Sequence, residues 1–141
     1  MTKPENRSQL MSYLGATQRN TVWSWCAVNE AERKVYLSVW TDFRGDHANN
    51  GKKSYIIQEP HWGIDQGRTS PSPARNDHDE KLSKIFESGY EAFGYFIEVR
   101  DPKAVPREIE KTKTSFVFSL ELERLPDGRI IGYPLDRIDA K

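Results

Sequence analysis

Apolar positions along this chain mostly recur at every second residue, and the alternation is clearest in two neighbouring segments. Residues 20–28 read Asn-Thr-Val-Trp-Ser-Trp-Cys-Ala-Val, and residues 36–42 read Tyr-Leu-Ser-Val-Trp-Thr-Asp. Successive side chains of a strand point to opposite faces. Strands over 22–28 and 35–41 therefore place Val22, Cys26 and Val28 on one side with Val35, Leu37 and Val39, while Trp23, Trp25, Tyr36, Trp40 and Asp42 take the other. Pairing Val28 with Val35 sets Cys26 opposite Leu37 and Trp23 opposite Trp40, so the polar segment 29–34 joins an antiparallel pair whose faces match throughout. One face is aliphatic, and the other carries a carboxylate and three of the chain's four tryptophans.

Thr2 as N-cap, Pro4 in the first turn, the stripe Leu10, Met11 and Leu14, and Gly15 as the stop predict a short first helix. Residues 43–53 are polar and contain glycine, which predicts a loop, and 54–58 read as a short strand. The stretch 59–76 has three prolines, two glycines and no period, a long loop of the kind that is often functional or disordered. Asp77 with Glu80 resembles a capping box, Leu82, Ile85 and Phe86 have helical spacing, and Gly89 suits a stop, so a second helix is predicted over 77–88. Phe93, Tyr95, Ile97 and Val99 form one face of a further strand that Asp101-Pro102 ends, and 105–111 are read as holding one helical turn. Phe116, Phe118, Leu120 and Leu122 repeat the alternation, and Pro126-Asp127-Gly128 turns the chain into a closing strand over 129–133. Consecutive, hairpin-connected strands favour an α+β fold, a small curved, mainly antiparallel sheet or open pseudo-barrel with two flanking helices.

The length, 141 residues, suits a single domain spanning 1–141. Acidic and basic residues balance at 21 each, which argues against a protein living mainly on phosphate contacts. It leaves room for a local basic patch beside a base-sized pocket, because bases specify while phosphates position. No run approaches the roughly 18 apolar residues of a membrane span, and the N-terminus lacks a basic region followed by an apolar one. The expectation is a soluble, cytoplasmic protein with no membrane partner. Cys26, the single cysteine, is read as a small core hydrophobe.

The tryptophan face has two readings. As a stacking pocket, its indoles would each contribute about 1–3 kcal/mol per stacked base, with Asp42 accepting along the base edge. Alternatively a helix covers the face and the indoles form a second core. Arg44, Asp46 and His47 follow strand two, and His61, Trp62 and Arg68 sit in the long loop, where binding residues concentrate. Trp62 either closes over a ligand or pins the loop to the body. His47, His61 and His78 with Asp42, Asp46 and Asp77 are ligand types without metal-site spacing, so neither a metal nor a cofactor is expected. The Asp77-His78-Asp79-Glu80 cluster is read as a helix cap rather than as catalytic, since the helix dipole favours acids there. Arg100, Lys103, Arg107, Lys111 and Lys113 make a basic stretch, either a solvated face or a phosphate track. No nucleophile elbow, P-loop or dinucleotide fingerprint is present.

Leu14-Gly15-Ala16, Asn20, Trp23-Ser24-Trp25 and Val39-Trp40-Thr41-Asp42 carry a resemblance that Gly89-Tyr90, Val99-Arg100-Asp101-Pro102 and Pro106-Arg107-Glu108-Ile109 before Phe116-Val117-Phe118 extend to about two thirds of the chain. The chain resembles the PUA-like superfamily, which includes the SRA and EVE readers of modified bases, and within it the N-terminal reader domains of modification-dependent HNH restriction endonucleases. No HNH motif follows, so the resemblance implies a binding fold without cleavage. The expected function is a nucleic-acid-binding module, DNA favoured over RNA, that reads an extruded modified base. Trp23, Trp25 and Trp40 would wall the pocket, Asn20 and Asp42 would bond the base edge, Arg44 and Arg100 would hold phosphate, and His61 and Trp62 would border the site. Two other classes compete: a small enzyme on a nucleotide-like substrate with Asp42 or His61 as general base, and a domain whose aromatic face docks another protein.

Overall fold

The hairpin forms in the register that its hydrophobic pattern specifies. Strands β1 (Cys26–Asn29) and β2 (Lys34–Trp40) pair antiparallel with Val28 opposite Val35 and Cys26 opposite Leu37. The computed structural model describes residues 4–18, 26–60, 73–103 and 109–139. Thr2, Asn20, Trp23, Trp25, His61, Trp62 and Arg68, and the pairing of Trp23 with Trp40, lie outside the described residues.

The remaining elements are α1 (Arg7–Leu14), a single 3-10 turn (Thr41–Phe43), β3 (Arg44–Gly45), β4 (Ser54–Gln58), α2 (Pro73–Ser88), β5 (Glu91–Val99), β6 (Ile109–Thr112), β7 (Phe116–Arg124) and β8 (Ile130–Asp139). The eight strands make one open sheet in the order β1-β2-β5-β7-β8-β4-β3, with β6 on the edge of β5 beyond β7. Every pairing is antiparallel except β2 with β5, whose connection runs through β3, β4 and α2. The fold is α+β, a small curved sheet with two helices, as the strand pattern predicts. No described helix is long and apolar enough to cross a membrane.

The two faces of the hairpin bury separately. Cys26, Val35, Leu37 and Val39 join Leu82 of α2, Phe118, Leu120 and Ile130 in one core. Ala27, Tyr36, Phe93, Tyr95, Ile97 and Val117 join Leu10 and Met11 of α1 in the other, with Trp40 packed against it. Gly94 lets the sheet close around the first core: a Cβ there would stand 2.5 Å from the Phe118 ring, so a larger residue would push β5 and β7 apart.

Four local expectations are corrected. The first helix starts at Arg7, not in the turn holding Pro4: Asn6 caps it by accepting from Gln9 N at 2.9 Å, and the Pro4 carbonyl instead accepts from Thr114 Oγ1 at 2.7 Å. Gly15 does end the helix, at φ +67°, and a Cβ there would meet the Asn29 amide that donates to Leu14 O. Helix α2 begins at Pro73, so Asp77 lies a full turn inside it and is no cap; proline is well placed at a helix start, and the long loop is correspondingly shorter. Of the segment read as holding a helical turn, 105–108 lie outside the described residues and 109–111 are strand, paired with β5, because the free edge of β5 past β7 offers them backbone partners. β8 runs to Asp139, six residues beyond the predicted end, since β7 supplies ladder partners as far as Phe116.

Candidate functional site

Two regions gather ionisable side chains, and they differ in burial. The first is a polar seam where the N-terminal half of α2 meets β1 and β4. Asp77, His78 and Lys81 point from the helix into the protein, and each is under 5 % exposed. Lys81 Nζ donates to Asp77 Oδ1 at 2.9 Å, and the Cys26 thiol donates to Asp77 Oδ2 at 3.6 Å. Beside them the Gln58 amide nitrogen lies 2.9 Å from His78 Nδ1 and 3.0 Å from Asp79 Oδ1. The Asp79 carboxylate only accepts, so the amide faces its N–H groups toward both neighbours and His78 Nδ1 is an acceptor. Arg75 Nε donates to Asp79 and its Nη1 to Pro60 O at 3.0 Å, holding the end of β4 to the helix.

This seam is a lock rather than a reaction centre. Burial pushes the Cys26 thiol well above its ordinary value, and the charge of Asp77 adds to the effect. A protonated buried thiol is not a nucleophile. Burial likewise lowers His78 to about 4 despite the opposing charge of Asp79, so at neutral pH it is an uncharged acceptor for Gln58. Asp77 and Lys81 bond each other, which is what a buried pair requires if it is not to leave an uncompensated charge. Among the described residues, no three metal-ligating side chains converge on a possible ion site.

The second region is an open groove of about 760 Å³ between the start of α1, the β6–β7 connection and β8. Arg7, Lys111, Lys113 and Arg137 supply four cations to its lining, against the two carboxylates of Glu5 and Glu110. The hydroxyls of Thr112, Thr114 and Ser115 and the ring of Phe116 complete its walls. Arg137 lies over the Phe116 ring at 4.1 Å from the centroid, with its Nε 2.7 Å from Asp139 Oδ1. Lys113 is 3.7 Å from Glu98. Lys111 is exposed and has no ion-pair partner among the described residues. Asp139 and Glu98 thus offset two of the four cations, Arg100 offsets Glu110, and a net excess of one positive charge remains on this concave, hydroxylated surface.

The structure places the predicted site residues at different points of this frame. Trp40 is half-buried at the end of β2, packed against the α1 core, and Tyr36 on the same face is buried against α1. Over its described part, then, the aromatic face is covered by a helix, and only its Trp40 end reaches the surface. Asp42 is exposed in the 3-10 turn just beyond, and Arg44 is exposed at the start of β3. His47 bonds Phe43 O at 2.6 Å and serves the loop. Asp46 accepts from the backbone N–H of Gly51 and Asn50, which hold its carboxyl below the usual range. Arg100 lies at the end of β5 and touches the groove through Glu110, 2.8 Å away.

One strand register links Trp40 to the groove. Trp40 pairs with Ile97 on one edge of β5, and Ile97 pairs with Thr112, a groove residue, on the other. Two strand spacings, about 10 Å, separate them. Of the basic stretch, Lys111 and Lys113 line the groove and Arg100 borders it. Arg7 and Arg137 carry no sequence signal, and Phe116 reads only as a strand position, since only the β7–β8 ladder and the path of the chain before α1 bring the three together. No family model matches the chain, and no curated protein or solved structure matches it.

Proposed function

We propose that this chain is a nucleic-acid-binding module, with DNA the favoured partner, that holds the backbone in the groove and receives a displaced, modified base at the Trp40 corner. The observation that carries the reading is the groove. Lys111 stands there as an exposed cation with no ion-pair partner among the described residues, on a chain with no net charge, and a cation on a concave polar surface is what a phosphodiester backbone requires. The hydroxyls of Thr112 and Ser115 add neutral donors of the kind that contact phosphate and sugar, that of Thr114 being committed to the Pro4 carbonyl. Trp40 supplies an indole plane within about two strand spacings, and Asp42 supplies an exposed acceptor for a base edge two residues on.

The seam does not favour catalysis: its residues are buried and bonded to one another. The direct experiment measures binding of modified and unmodified oligonucleotides to the wild-type chain, Trp40→Ala and Lys111→Ala. Lys111→Ala weakens both ligands alike, and Trp40→Ala removes the preference for the modified one. Equal, weak binding by all three proteins would sink the reading.

A further inference from the structure

We infer that the groove takes an unpaired strand rather than a duplex, with Arg137 as the surface on which one base stacks. The inference rests on the nucleic-acid reading and names the form of the ligand.

The guanidinium of Arg137 is held as a plate. Its Cζ lies over the Phe116 ring, 4.1 Å from the centroid, and its Nε is tied to Asp139 at 2.7 Å. The Asp139 carboxylate offsets its charge, so Arg137 is poorly suited to hold a phosphate. Its side chain nevertheless remains 62 % exposed, beside a groove whose other cations are better placed for backbone contact. Lys111 is the clearest of these, exposed and without an ion-pair partner among the described residues. A flat guanidinium supported from below by a phenyl ring is a stacking platform for a base, and arginine planes serve that role in the recognition of unpaired strands.

The form of the ligand follows from what a platform can touch. In a duplex the bases cover each other's faces and present only their edges in the grooves. A plate that offers a face therefore meets nothing on a duplex except at a displaced base, whereas an unpaired strand offers faces along its length. In an unpaired strand the base faces are accessible without the cost of opening a pair. The groove volume, about 760 Å³, lies in the range of roughly 300–1,000 Å³ that encloses small-ligand-sized groups, enough for a nucleotide or two of a strand.

The experiment measures fluorescence anisotropy of a labelled short oligodeoxythymidylate and of a labelled duplex of the same length. Both are titrated with wild type, Arg137→Lys and Lys111→Gln over a series of salt concentrations. Arg137→Lys keeps the charge and removes the plate. The strand is expected to bind about tenfold or more tighter than the duplex, and Arg137→Lys to lose about tenfold on the strand, the equivalent of one stacked base, with the salt slope unchanged. Lys111→Gln should instead lower the salt slope by about 0.7, one backbone contact on a single strand. Duplex binding as tight as strand binding, or Arg137→Lys binding like wild type, overturns the single-strand assignment and leaves the nucleic-acid reading standing. Absence of binding to both ligands overturns the two together.

Discussion

The α2 seam and the α1–β6–β7 groove are built from the same kinds of side chain, yet they do opposite work. In the seam, Asp77, Lys81 and His78 are buried and each has a bonding partner inside the protein. In the groove, Lys111 is exposed and has no ion-pair partner among the described residues. An ionisable group that is buried and satisfied has its interactions committed to the fold, whereas one that is exposed in excess of its counter-charges has them available for a ligand. Residue type alone would have ranked the seam first, since a cysteine, a histidine, an aspartate and a lysine converge there.

The largest expected effect separates the two regions by stability. Lys81→Met alone removes the cation beside the buried Asp77 carboxylate and should cost about 3–5 kcal/mol in chemical denaturation, while Asp77→Leu with Lys81→Met should recover most of that loss. A seam that tolerated Lys81→Met at under about 1 kcal/mol would not be the lock described. Next comes pH. His78 is held at about 4, below its ordinary 6.5, so the unfolded chain takes up the proton first as pH falls. Its contribution is fully present above about pH 6.5 and is lost as pH drops toward 4, about 3 kcal/mol over that window. His78→Gln should flatten the pH dependence of unfolding across that range, and an unchanged curve would contradict a buried neutral imidazole.

The groove should respond in the reverse sense. Lys111→Ala is expected to change stability by no more than about 0.5 kcal/mol, and to weaken oligonucleotide binding several-fold at low salt. The smallest effect concerns Tyr95, which packs in the α1 core. Its hydroxyl is fully buried and meets no partner in hydrogen-bonding geometry among the described residues, and burial raises it to about 12 against the opposing charge of Arg7. Tyr95→Phe removes an unsatisfied polar atom, so thermal unfolding should show it neutral or up to about 1 kcal/mol more stable. A clear loss would reveal a partner for the hydroxyl.

Local pattern made the hairpin legible down to the pairing of Val28 with Val35, because period-two alternation fixes both face and register. The division into two cores followed from the same parity. Covering of Tyr36 and part of Trp40 by α1 was one of two readings that parity left open for that face, since alternation says which residues share a face and not what lies on it. Asp77 illustrates a different limit. Its spacing to Glu80 matches a cap, and nothing local shows that the helix begins four residues earlier at Pro73 and turns Asp77 inward. The groove was legible only in part. Lys111 and Lys113 stand in a visible basic run, whereas Arg7 and Arg137 lie 130 residues apart in the chain and meet through tertiary structure alone.

The most direct measurement compares two charge reversals of equal size for oligonucleotide binding. Lys111→Glu with Lys113→Glu inverts the groove, and Lys52→Glu with Lys53→Glu makes the same change on the 46–53 loop, outside the groove lining. If the groove is the binding site, the first variant loses binding by about a hundredfold or more while unfolding like wild type, and the second binds within a few-fold of wild type. Equal losses in both variants would mean that overall charge, and not the groove, holds the ligand.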